Sequence, residues 1–175
     1  MRAFWKRFRD GTYIGAFVYG ANDGIITTFA VVAGAAGALL SPGVIVILGF
    51  ANLLADGFSM GASNFLAIRT EREMAKQPRE FVTPLQHGLV TFGAFVIAGV
   101  VPIIPYLFSF PDAQQFLFSS VLATAMFFSV GAARTYITKG NFLKAGLEML
   151  AIGVVASSVA YGVGWGIKTM FGIAI

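Results

Sequence analysis

The sequence predicts an all-α, polytopic membrane protein of five transmembrane helices, N-terminus inside and C-terminus outside, forming a single domain over residues 1–175. Three observations predict it. The chain is 57% hydrophobic and only 11% charged, with a mean hydropathy of +0.80, far too apolar for a soluble domain of 175 residues. Five apolar runs are each long enough to cross a hydrocarbon core about 30 Å thick as a helix. Eleven of the twelve Lys and Arg residues fall on one side of the resulting topology, as expected for cytoplasmic loops.

Taken in order, the first run covers about 13–40. It is too long for the apolar region of a signal peptide and is expected to remain as a helix. Ser41-Pro42-Gly43 marks a turn before the second run, about 43–68. The charged stretch Arg69 to Pro84 separates this from the third, about 85–109, and Ser109-Phe110-Pro111-Asp112 separates that from the fourth, about 113–133. Asp112 reads as the N-cap of the fourth helix. Arg134 to Lys144 leads to the fifth run, about 145–173, where Lys144 and Glu148 are four residues apart and spaced to pair. Trp5, Tyr106 and Trp165 read as interfacial anchors, and His87 as an interfacial residue at the start of the third span.

Two acids break this apolar pattern. Asp56 lies 13 residues from both Gly43 and Arg69, which places it at the midplane. Asp23 lies about 15 Å inward from Tyr13, so the two carboxylates can share one level. A central Asp raises the free energy of insertion by roughly 2.5–3.5 kcal/mol, and such residues normally face a bundle interior on an ion or proton pathway. The twelve Val, Ile, Leu and Phe residues of the second span contribute on the order of 4–7 kcal/mol, a thin margin over Asp56 together with Asn52 and Asn64. A stripe that lowers insertion so far is not expected to face lipid.

Asn52, Asp56, Met60 and Asn64 recur every four residues and form one lane on the second helix. Tyr19, Asp23 and Thr27 repeat that spacing on the first, with Asn22 and Thr28 beside them. Carboxylate and amide oxygens suit hard divalent cations, and a thioether adds the soft character that favours Fe(II) or Mn(II) over Mg or Ca; the alternative for Met60 is ordinary packing. Asp23, Asp56 and Met60 are therefore the candidate metal ligands, with Asn22, Thr27, Asn52, Asn64 and Glu148 as further pathway residues. Ala16, Gly20 and Gly24, and Gly57 with Gly61, form lanes of small residues for close helix packing, within the chain or between subunits. Asn22-Asp23-Gly24, a turn signal in soluble proteins, predicts a local irregularity of the first helix.

Two stretches carry a family resemblance: Tyr19-Gly-Ala-Asn-Asp-Gly-Ile-Ile-Thr-Thr-Phe-Ala-Val-Val-Ala-Gly-Ala-Ala-Gly-Ala38 and Gly49-Phe-Ala-Asn-Leu-Leu-Ala-Asp-Gly-Phe-Ser-Met-Gly61. They resemble the signature helices of the vacuolar iron transporter family. Gly99-Val-Val-Pro-Ile-Ile-Pro-Tyr106 and Gly146-Leu-Glu-Met-Leu-Ala-Ile-Gly153 extend the likeness over essentially the whole chain. The resemblance implies a five-helix subunit that forms a homodimer, with the first helices of both subunits lining a path for Fe(II) exported from the cytosol in exchange for protons. It assigns the transport residues to Asp23, Asp56 and Met60. Two-fold symmetry would double them to six ligands at one site. The chain departs from the family in carrying Asn64 where Glu is common and Ser63 where Gly is frequent. It also has only a short connection between the second and third spans, where many members insert an acidic metal-capturing domain.

The expected class is thus a divalent-metal transporter with no resident cofactor, in a prokaryotic cytoplasmic or vacuole-type membrane. Absence of Cys and a single His exclude thiolate sites and multi-histidine cages. Basic residues flank apolar spans instead of forming a stripe, which argues against nucleic acid as a partner. Two alternatives belong to other classes: a membrane scaffold with vestigial acids, and an intramembrane aspartyl protease. The second lacks Gly-x-Gly-Asp and Tyr-Asp motifs.

Overall fold

The computed structural model describes residues 13–75 and 83–172, and every regular element among them is helical. In chain order these are α1 (Ile14–Gly37), α2 (Pro42–Ala75), α3 (Pro84–Gly99), a 3-10 helix (Val101–Leu107), α4 (Asp112–Ala133), the single turn α5 (Thr135–Thr138) and α6 (Phe142–Phe171). Four helices are long and apolar enough to cross a membrane singly, and α3 with its 3-10 continuation passes the same test as a bent pair, which makes five when the pair is counted as one span. The chain is a multi-pass integral membrane protein. Trp5 lies outside the described residues.

α1 is the central helix. Half of its apolar window is buried, against 6% for α6, so α1 is surrounded by protein while α6 presents most of its surface outward. Ile25, Phe29 and Val32 of α1 form the core with Ala123 and Phe127 of α4 and Met149 of α6. α1 and α3 run parallel: Gly20 meets Thr91 and Gly24 meets Phe95. α2 and α3 are antiparallel, with Gly61 on Gly88 and Leu53 near Gly99, and α4 and α6 pair likewise through Gly131 on Met149 and Phe127 on Gly153.

The close approach at Gly24 shows why small residues line that face. A Cβ there would lie 2.3 Å from the Phe95 carbonyl oxygen, a distance no side chain tolerates. Both small-residue lanes predicted from sequence are therefore used inside the chain, against α3. The irregularity expected at Asn22-Asp23-Gly24 does not occur. α1 is helical throughout, because Gly24 serves this packing and no turn is formed.

Other boundaries depart from expectation for local reasons. α2 does not stop at residue 68 but continues to Ala75, about 50 Å in all, since good helix formers follow and Arg69 pairs with Glu73 at 3.0 Å one turn on. The third span is not one α-helix: it bends by 43° after Gly99. Pro102 and Pro105 lack the amide hydrogens an α-helix needs and crowd the preceding turn. Carbonyls freed by the break are met from α4, where Ser119 Oγ donates to Pro102 O (2.7 Å) and Gln115 Nε2 to Phe108 O (2.9 Å). α4 takes in Asp112 as its first residue, so the cap position belongs to Pro111. α6 begins at Phe142, capped by Asn141, whose Oδ1 accepts from the Lys144 amide at 3.0 Å.

Candidate functional site

The two aspartates stand on neighbouring helices, Asp23 on α1 and Asp56 on α2. Both are half-buried, and they are close enough for the charge of Asp56 to act on Asp23. α1 is unbroken through Asp23, and on α2 the four-residue spacing sets Asp56 on one face with Met60 and Asn64. Beyond them a groove of about 290 Å3 opens, lined by Tyr19 of α1 and by Ser59, Met60, Ser63, Asn64 and Ala67 of α2. Met60 both lines this groove and packs on the cluster of Leu53, Phe95 and Ile103, so its ligand and packing roles are compatible.

Two amides flank the acids without protein partners. Asn22 Oδ1 and Asn52 Nδ2 are buried and form no hydrogen bond within the chain, an arrangement that folded proteins rarely leave unexplained. Thr27 Oγ1 donates to the Asp23 carbonyl at 2.8 Å, which leaves its oxygen able to accept only. Asn64 Nδ2 donates to Thr91 Oγ1, and Thr91 Oγ1 donates to the His87 carbonyl at 3.0 Å, so Asn64 ties α2 to α3 while lining the groove.

Glu148 is not brought to this group. Its Oε2 lies 2.9 Å from Arg134 Nη2, across the α4–α6 hairpin, and that pair replaces the expected one with Lys144. Among the described residues no cluster of three or more His, Cys, Asp or Glu is arranged to hold a metal ion. One chain thus supplies two carboxylates, a thioether and several amide and hydroxyl oxygens.

Sequence reasoning missed the polar network at the same end of the bundle. His87 is 9% exposed, where an interfacial residue was expected, and its ring packs edge-on against the buried ring of Tyr13, centroids 4.8 Å apart. Tyr13 donates to Gln86 Oε1. The available signal was Thr91, a hydroxyl one turn after His87 in an otherwise apolar run. Tyr106, read as an anchor, is 7% exposed and belongs to the core; Trp165 is outward-facing.

Fold and site together define a polytopic helical membrane protein with a pair of acids on adjacent helices of its membrane-spanning bundle. Residues 14–81 and 76–165 match the VIT family, which covers most of the chain, and the protein belongs to that family. The chain is similar to vacuolar iron transporter 1 of Eucalyptus grandis, 25% identical over 216 residues that take in 89% of this chain and 86% of the relative. It is similar also to the vacuolar iron transporter of Toxoplasma gondii, 26% identical over 87% of this chain and 73% of the relative. A shorter stretch of 73 residues is 37% identical to the vacuolar iron transporter of Plasmodium falciparum, covering 41% of this chain and 27% of that one. In the Eucalyptus alignment 89% of 175 residues is about 156, so about 60 of the 216 positions have no counterpart here.

Proposed function

We propose that this protein transports a divalent transition metal, Fe(II) first and Mn(II) second, out of the cytosol in exchange for protons, at a site completed by a second copy of the chain. The observation that carries the reading is a pair of half-buried acids, Asp23 and Asp56, on neighbouring membrane-spanning helices, with Met60 and Asn64 lining a groove one and two turns beyond Asp56. The relatives' names supply the class of cargo, iron. Oxygen donors with one thioether fit a borderline cation better than Mg or Ca.

Two features support the second copy. A single chain gathers too few charged ligands for a closed site among the described residues. The small-residue lane of α1 is used inside the chain, yet Tyr19 on the acid-bearing side remains 61% exposed. Two-fold symmetry about that face would bring four carboxylates and two thioethers together. Four neighbouring carboxylates cannot all stay ionised without a cation, so release of metal would draw in protons.

In this proposal Asp23, Asp56 and Met60 bind the ion, and Asn22, Asn52, Asn64 and Thr27 offer oxygens along its route. Glu148, engaged by Arg134, stands apart from it. The N-in, C-out orientation follows the basic residues, with the groove at Asn64 opening toward the cytosol. The single domain spans the whole chain. The two family matches meet at residues 76–81, which supports the short α2–α3 connection as the place where longer relatives carry their extra residues. The proposal is tested by metal uptake into proteoliposomes with Fe(II), Mn(II), Co(II) and Zn(II), with and without a proton gradient. Uptake that ignored the gradient would remove the exchange component, and none for any metal would remove the function.

A further inference from the structure

A cavity lies at the end of the bundle opposite the groove of Asn64. It has a volume of about 410 Å3 and sits beside the α1–α2 turn, with Ala36, Leu40, Ile45, Tyr106, Gln115 and Tyr161 in its lining. α1, α2, the 3-10 helix, α4 and α6 therefore all contribute to it. At about 1.5 Å of rise per residue, Ala36 lies about 20 Å beyond Asp23, and Ile45 about 16 Å beyond Asp56 in the same direction. In the proposed orientation this is the outer side. No charged side chain is among the described residues that line the cavity.

Buried polar atoms without partners mark the interval between this cavity and the acids. Gln115 is only 4% exposed; its Nε2 is committed to the Phe108 carbonyl, and its Oε1 has no partner within the chain. Thr28 is fully buried on α1, about 7.5 Å outward from Asp23. Hydroxyls in these helices donate to the carbonyl four residues back, as those of Thr27, Thr91 and Ser120 do, whereas Thr28 Oγ1 has no partner. It stands where α3 breaks: a Cβ on Gly99 would lie 2.8 Å from it. Asn52, about 6 Å outward from Asp56, carries the unpartnered Nδ2. Buried polar groups that the chain leaves unpaired are ordinarily met by water, and broken helices within membranes occur where they face protein or a water-filled space. Between Thr28 and the cavity stand Val32 and Ile45, both buried in one core cluster with Tyr106.

We infer that the cavity and Thr28 belong to an outer aqueous route to the acids, running inside each chain between α1, α2 and the break in α3, with Val32 and Ile45 as its closed segment. The inference rests on the transport reading, for which it supplies access from the second side of the membrane. Water and the small cation dissolved in it are the occupants. A hydroxyl and two amides can hydrogen-bond that water, and the absence of charge along the cavity lets an ion pass without being retained.

The chain has no cysteine, so an introduced thiol is the only one present. The test applies Ag(I), a small cation that reaches thiols through water, to the full-length protein in lipid nanodiscs, and counts the thiol left with a fluorescent maleimide after denaturation. Thr28→Cys is expected to react at least about tenfold faster than Ala123→Cys, an equally buried position on α4, since burial is matched and only water access differs. Ala36→Trp, which fills the cavity, is expected to slow the Thr28→Cys reaction about tenfold and to lower Fe(II) uptake by a similar factor. Helical content and elution volume check folding; Val32→Cys and Leu40→Trp repeat the measurement where a first variant fails to fold. Equal rates at Thr28→Cys and Ala123→Cys, a rate undiminished by filling the cavity, or uptake unchanged by Ala36→Trp overturns the inference. A wild type that moves no metal removes the transport reading instead, and the silver rates still decide whether the route exists.

Discussion

Replacing Gly24 by alanine tests the packing that positions Asp23. The added Cβ would lie 2.3 Å from the Phe95 carbonyl oxygen and 2.8 Å from its carbon, whereas ordinary contacts begin near 3.4 Å. α1 and α3 must therefore separate by about 1 Å along a contact that runs from Gly20 to Gly99. The obstacle is backbone, so no rotamer change relieves it. Overpacking of this kind costs about 1–3 kcal/mol, or a fall in midpoint of about 2–4 °C per kcal/mol for a chain of this size. Gly15, one helix face away, has nothing within 4 Å of its Cβ position. Gly15→Ala is expected to be neutral, or to stabilise by up to about 1 kcal/mol through helix propensity. Both variants are measured by thermal unfolding in detergent, and metal uptake is followed in parallel because Asp23 shares a turn with Gly24. Gly24→Ala with the wild-type midpoint would refute the backbone contact between α1 and α3.

Other predictions follow from single contacts. Ser119→Ala leaves the Pro102 carbonyl buried without its donor and is expected to lower stability by about 1–3 kcal/mol, read by the same thermal assay. Leu39 holds φ 57° at the end of α1, where the Leu39 and Leu40 amides return to Ala36 and Ala35. Leu39→Gly should relieve about 1 kcal/mol of that strain, a rise in midpoint. Glu148→Gln loses an exposed ion pair with Arg134 and should change stability by less than about 1 kcal/mol while leaving metal uptake intact. Asp23→Asn should lower uptake about tenfold or more at fixed Fe(II), with the folded fraction unchanged by size-exclusion chromatography.

The spans and the acid-bearing faces were legible in the sequence because both are written in helical periodicity and hydropathy. The lane Asn52, Asp56, Met60 and Asn64 needs only a four-residue spacing, and the structure sets Met60 and Asn64 on one groove. What was not legible depends on neighbours. The pair Arg134–Glu148 spans a helical hairpin, and spacing within α6 offered only Lys144. His87 looked interfacial from its place near a span terminus, but Tyr13 covers it from another helix. Asn22-Asp23-Gly24 read as a turn because its local propensity is that of a turn, and the demand of α3 for a glycine at that height overrides it. The prolines at 102 and 105 were visible, yet whether they kink a span or end it depends on donors from α4.

The central claim, that Asp23 and Asp56 form one cation-binding unit, is tested most directly by Fe(II) uptake into proteoliposomes holding wild type, Asp23→Asn, Asp56→Asn or the double variant. Each single variant is predicted to lose nearly all the activity that the double variant loses, because both acids serve one ion. Independent, additive losses, or uptake that survives Asp56→Asn, would contradict the account.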